Sequence, residues 1–132
     1  MSHWTDIQIE IRDLGALNDA CREMQLELVR AAVGQKVQAR GYAGATIECD
    51  ALVRLKGPYD VALIRQPDGQ YKAQVDWWRG HAEKEIGKNA GRLSQLYGTH
   101  KVTRDMRAKG YNVARNVDSK GVIRLSITGA RL

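Results

Sequence analysis

The sequence predicts an α+β fold, a single mainly antiparallel β-sheet with two helices packed on one of its faces. Three observations carry that reading. Apolar and polar residues alternate with period two around Ile7–Ile11 and Ile47–Leu55, as in strands with one dry and one wet face. Apolar residues recur at spacings of three and four after Asp13 and again between Gly80 and Gly110, as on one face of a helix. Short turn-forming tetrapeptides, Gln66-Pro67-Asp68-Gly69 and Asp118-Ser119-Lys120-Gly121, join neighbouring strand-like stretches and so make the pairing antiparallel.

Ile7, Ile9 and Ile11 give the first strand its inner face. Asp13 then caps a helix whose stripe of Leu14, Leu17, Cys21 and Met24 packs on that face and ends near Gln25. Leu26 to Val33 and Lys36 to Tyr42 read as two short strands. From Ile47 the alternation places Ile47, Cys49, Ala51, Val53 and Leu55 inward, and Gly57-Pro58 ends the strand. Tyr59 to Arg65 and Gln70 to Trp78 form a hairpin, since proline presets the turn and Gly69 takes a positive φ.

A loose helical lead-in over 80–89 precedes a firm helix over 90–109, with Leu93, Leu96, Thr99, Val102 and Met106 as its stripe and Gly110 as its stop. Tyr111 to Val117 and Val122 to Thr128 close the chain with a last hairpin. The sheet's second face is expected to be open and polar, presenting Gln8, Glu10, Arg12, Glu48, Asp50, Arg54, Arg124 and Ser126.

The 132 residues, 43% of them hydrophobic, suffice for one domain over 1–132 with its own core. No cleavable leader or membrane-length apolar run is seen, so the expectation is a soluble, cytoplasmic protein without a membrane partner. Cys21 and Cys49 then read as reduced, buried thiols. The formal charge of +6 is uneven: residues 1–78 hold 9 Lys/Arg against 11 Asp/Glu, whereas residues 79–132 hold 12 against 4. Such a basic C-terminal part suits an acidic protein face or the phosphates of a nucleic acid.

Chemical motifs are thin. His3, His81 and His100 stand far apart, none paired with histidine or cysteine at ligand spacing, so no metal site is expected. Arg40-Gly41-Tyr42-Ala43 matches the opening of an RNA-recognition octapeptide, but Gly44 and Ile47 stand where stacking aromatics are needed. Asp60 and Asp76 fall at neighbouring hairpin ends, where an acid–base pair and ordinary strand-end carboxylates are the competing readings. Neither catalytic residues nor a cofactor are nominated. Trp77 and Trp78 are expected on opposite faces, Trp77 in the core and Trp78 partly exposed, with a partner anchor and packing beneath the lead-in to the second helix as its two competing readings. The basic candidates for partner or nucleic-acid contact are Arg79, Lys84, Lys88, Arg92, Lys101, Arg104, Arg107 and Lys109.

Several stretches together carry a family resemblance: Ser2-His3-Trp4-Thr5, Arg40-Gly41-Tyr42, Tyr59-Asp60-Val61 leading to Pro67-Asp68-Gly69, and Asp76-Trp77-Trp78. Tyr97, Val102, Met106 and Gly110-Tyr111 add to it. On these residues the chain resembles the small hypothetical proteins of plastid and cyanobacterial genomes known by the chloroplast open-reading-frame number thirty-five, a domain of unknown function. The 84–92 stretch departs, with glycines and lysines in place of a more apolar lead-in. The resemblance brings with it no established enzymatic activity or cofactor to carry over to a position here. Its members tend to be encoded beside ATPases of the AAA type, which implies an accessory or adaptor role.

The functional expectation is therefore a non-enzymatic accessory domain that docks on a larger protein, an AAA-type ATPase among the candidates, through Trp78, the open sheet face or the basic helix. The alternative is a nucleic-acid-binding module using the basic C-terminal helix, and an enzyme is the third reading, since no constellation of residues meets its geometric requirements in outline; the open sheet face also offers a surface for self-association.

Overall fold

The computed structural model of the chain describes residues 3–129. In chain order the elements are β1 (Trp4–Ile11), α1 (Leu14–Glu23), β2 (Glu27–Arg30), β3 (Val37–Arg40), β4 (Thr46–Cys49), β5 (Ala51–Arg54), β6 (Asp60–Arg65) and β7 (Tyr71–Asp76). They continue with the single turn α2 (Glu83–Ile86), the long α3 (Gly91–Ala108), β8 (Asn112–Val117) and β9 (Ile123–Thr128). The fold is α+β, a mainly antiparallel sheet with two long helices. The domain reading over 1–132 extends at both ends to residues outside those described, Ser2 of the opening motif among them.

The main sheet holds five antiparallel strands in the order β1-β7-β6-β5-β2; β3–β4 and β8–β9 are separate two-stranded ladders. Helices α1 and α3 pack on one face of the main sheet. Leu14, Leu17 and Cys21 of α1, with Leu93 and Tyr97 of α3, close a core over Ile7, Ile11, Val53, Val61, Leu63 and Val75. Asp13 caps α1 by accepting the Ala16 N–H at 3.1 Å. The Tyr97 hydroxyl accepts the backbone N–H groups of Arg12 and Asp13 at 3.0 and 3.1 Å, fastening α3 to the β1–α1 corner.

The second face departs from expectation. It is open and polar only along β1 and β7, where Asp6, Gln8, Glu10 and Lys72 are exposed; over β5 and β6 the β3–β4 hairpin lies on it and buries a second core of Ala39, Cys49, Leu52 and Ala62, with Trp4, Val29, Val37, Ile47 and Ile64 packed around. The cause is a break at Asp50, which divides the continuous strand read from Ile47 to Leu55 into β4 and β5. Across that break the inward parity changes, so Cys49 and Leu52 serve the second core while Ala51 and Val53 serve the first. Asp50 holds the corner, accepting Lys36 Nζ at 2.6 Å and the Arg65 backbone N–H at 2.7 Å, and these bonds draw its carboxyl below the usual range. Gln8, Glu10, Arg12, Glu48 and Arg54 are exposed as read, and so are Arg124 and Ser126, though these two belong to the separate β8–β9 ladder.

The stripe on α3 also stops early. Leu93, Leu96, Tyr97 and Thr99 are buried, but Val102 is 38% exposed and Met106 only half-buried.

Candidate functional site

Three of the stretches that carry the family resemblance converge at one end of the sheet. Ala62 of β6 pairs with Gln74 of β7, so Asp60 and Asp76 stand two residues further on along both strands, toward the same end and on the same face as the β3–β4 hairpin. Both carboxylates are fully buried. Burying a charge is costly unless it is matched, and here each is matched differently.

Asp60 faces cations. Arg40 Nε lies 3.0 Å from its Oδ2 and Arg40 Nη2 2.8 Å from its Oδ1, while Arg54 Nε approaches Oδ1 at 3.3 Å. The Arg40 backbone N–H also donates to Oδ2 at 2.9 Å, and its Nη2 reaches the carbonyls of Leu55 and Gly57 at 3.1 and 3.0 Å. The hydrogen bonds from Arg40 to Asp60 raise the guanidinium's pKa above its already high value. One bidentate pair thus fastens the end of β3 to the β5–β6 loop.

Asp76 faces amides. Its Oδ2 accepts the backbone N–H groups of His3 at 3.1 Å and Tyr42 at 3.4 Å, and its Oδ1 accepts that of Trp78 at 3.0 Å. Three chain segments remote in sequence meet on this one carboxylate. Between the two acids, Gly41 is buried under Trp4, and a Cβ there would stand 2.7 Å from Cζ2 of the indole. The Arg40-Gly41-Tyr42 motif is therefore explained by packing, with an ion pair before the glycine, a ring above it and an amide anchor after it.

Above this buried frame sits an aromatic cluster. Trp78 is 43% exposed and meets Tyr42 edge-on, with ring centroids 5.3 Å apart. The Arg79 guanidinium lies over the indole at 5.9 Å. Tyr59 makes a similar edge contact with His81 at 5.4 Å, and burial, reinforced by the Asp76 charge, pushes its phenol pKa up. Ala43 and Arg79, the residues after Tyr42 and Trp78, both hold left-handed backbones, with φ of 57° and 55°. A non-glycine residue there costs on the order of 1 kcal/mol, a cost the surrounding frame must offset.

Trp77 packs against the first core and Trp78 is exposed, as the sequence reading has it, though for another reason. Strand β7 ends at Asp76, and Trp78 opens a short 3-10 turn, so strand alternation does not set their directions. The anchoring carboxylate does.

The basic candidates do not form one stripe. Arg79 belongs to the aromatic cluster, Lys84 to α2, Lys88 to a second 3-10 turn and Arg92 to the first turn of α3; all four are exposed, with no carboxylate within 4.0 Å among the described residues. Lys101 and Arg104 turn instead to acids: Lys101 Nζ to Asp105 at 2.9 Å and Arg104 Nε to Asp19 of α1 at 2.6 Å. Their charge is spent bracing the helices. Arg107 Nη2 reaches the Val113 carbonyl at 3.4 Å, and Lys109 lies at the C-cap of α3.

No group of three or more His, Cys, Asp or Glu side chains is placed to hold a metal among the described residues. Cys21 and Cys49 are free and buried, and burial pushes both thiols up, Cys21 to about 12. At the opposite end of β6 and β7 a cleft of about 300 Å³ is lined by Arg30, Asp50, Arg65 and Tyr71 among others, but its one carboxylate is the corner-holding Asp50.

A family model described as a protein of unknown function, DUF1257, matches residues 20–126. The chain belongs to this family. The match takes in both buried acids, the Arg40-Gly41-Tyr42 segment, Trp78 and α3 with most of the last hairpin, so the aromatic end lies within the DUF1257 domain. Searches among curated proteins and among solved structures returned no match.

Proposed function

We propose that this DUF1257 chain is a non-enzymatic accessory domain that docks on a larger protein through the Trp78 end of its sheet. The observation that carries the reading is the exposed Trp78 ring, whose backbone N–H is fixed by the fully buried Asp76 and whose flanks are occupied by Tyr42 and Arg79. A large aromatic held in place before binding loses little conformational entropy on association, and tryptophan and arginine are the residues most enriched among energetic anchors of interfaces. The buried acids support the same reading, since their oxygens are engaged in holding loops and not in facing a substrate.

The narrower kinship with the plastid and cyanobacterial open-reading-frame thirty-five proteins is part of this proposal, and with it an AAA-type ATPase as the partner. A photo-reactive amino acid installed at Trp78 in growing cells tests both. The expected result is one dominant cross-linked species containing such an ATPase, absent when the probe is placed at the fully exposed Val33 of the β2–β3 loop. Equal adducts at both positions, or none at Trp78, overturn the reading.

The runner-up, a nucleic-acid module using the basic helix, draws on fewer free charges than the sequence count suggests, because Lys101 and Arg104 are paired with Asp105 and Asp19. Self-association through the second sheet face would have only its β1–β7 part to use, since the β3–β4 hairpin covers the rest.

A further inference from the structure

The buried part of the molecule ends in sequence at Thr99. Beyond it no described residue is buried, although α3 and the final hairpin still carry Val102, Val113, Val117, Val122, Ile123, Leu125 and Ile127. The register pairs Val113 with Ile127, Arg115 with Leu125 and Val117 with Ile123, which puts all the apolar residues of β8 and β9 except Ala114 on one face of the ribbon. That face looks toward α3 without closing on it. A cleft of about 150 Å³, lined by Thr99, Thr103, Arg107, Val113 and Arg115 among others, separates helix and ribbon. Val117 is left 57% exposed and Ile127 40%, with Val122 at the turn 45% and Val102 on α3 38%.

Polar ties hold the ribbon in place: Arg115 to Glu23 of α1 at 2.7 Å, Arg107 to the Val113 carbonyl, and Gln95 to the Gly121 carbonyl at 3.2 Å. A two-stranded ribbon with a half-covered apolar face is marginal by itself, and exposed apolar area of this kind marks an interaction surface.

The charge around the patch selects what covers it. Arg107 lines the cleft, Lys109 closes α3 just before β8 and Lys120 stands in the β8–β9 turn, whereas Arg124 pairs with Asn116 on the ribbon's opposite face; the carboxylate of the turn, Asp118, accepts the Lys120 and Val122 backbone N–H groups on Oδ1. A second copy of the chain would bring the same positive charges against these. A nucleic acid would meet an aliphatic centre without stacking rings. An acidic chain with an apolar stripe meets both features. Because α3 already lies on this face, a helix laid beside it continues the helical layer.

We infer that the apolar face of the β8–β9 ribbon is the docking site for an acidic amphipathic helix of a partner protein. It shares no residue with the Trp78 end and does not depend on that reading.

The test is a titration of the isotope-labelled chain with a synthetic acidic amphipathic helix, glutamate-rich with leucine at helical spacing, followed by amide NMR shifts. Saturable shifts concentrated over residues 113–127 and around Val102 are expected. Affinity should fall about tenfold in Val117→Asp and in Ile127→Asp, remain unchanged in Trp78→Ala, and weaken with added salt. Both ribbon substitutions lie at exposed positions, and an unchanged spectrum in the remaining sheet shows that each variant is folded. Shifts centred on Trp78, the absence of saturable shifts, or concentration-dependent self-association abolished by Val117→Asp would each overturn the inference.

Discussion

Gly41 shows how much of the aromatic end depends on one missing methyl group. Trp4 covers it so closely that an added Cβ has no room, and the neighbouring Arg40 and Tyr42 are pinned by Asp60 and Asp76, so the backbone cannot retreat. Gly41→Ala should therefore destabilise the fold by about 1–3 kcal/mol in urea denaturation, the usual cost of overpacking. Trimming the ring with Trp4→Leu should make the second substitution nearly silent, since the clash is then gone; additive losses would show that Gly41 is needed for something other than this contact. The sequence displays both residues inside recurrent motifs, yet their contact joins β1 to the end of β3, and no local pattern reports a contact between such distant positions. The burial of Asp60 and Asp76 was equally hidden, because a carboxylate at a strand end looks the same in sequence whether it meets water or three amides.

Among the elements, those with strong local periodicity were the legible ones. Helix α1 with its Asp13 cap, the β6–β7 hairpin and the C-terminal hairpin stand close to where patterning puts them. The second core was missed because alternation runs unbroken through Asp50, although Leu52 between Ala51 and Val53, and the run Val61-Ala62-Leu63-Ile64, are what strands covered on both faces look like. The C-terminal hairpin raises a different question, since charge holds it where packing does not. Hydrogen bonds from Arg115, assisted by His100, draw the Glu23 carboxyl down to about 2 against the opposing cost of burial. Folding lowers this pKa from its ordinary 4.5, so the brace contributes fully above that value and is lost as pH falls from 4.5 toward 2. Glu23→Gln should flatten the pH dependence of stability across that window. Thermal unfolding followed on both sides of the window checks this, and an unaltered acid limb would assign it to other carboxylates.

At the scale of the whole molecule, stability should be uneven. Strands β5 and β6 are sandwiched between the two cores and β7 lies inside the sheet between β6 and β1, whereas β8 and β9 add no buried side chain to either core. Native-state hydrogen exchange should separate two tiers, with amides of β5–β7 opening only through global unfolding and those of β8–β9 exchanging far faster through local opening. Equal protection in both would mean that the ribbon folds as one unit with the sheet. The placement of the tryptophans has a practical bearing on such work. Trp4 pairs with Asp76 across β1 and β7, and Trp77 and Trp78 follow directly, so all three indoles of the chain sit at the same pole. Intrinsic fluorescence is thus a local gauge: a melting curve recorded at indole wavelengths describes the aromatic pole, and the ribbon can detach without altering it.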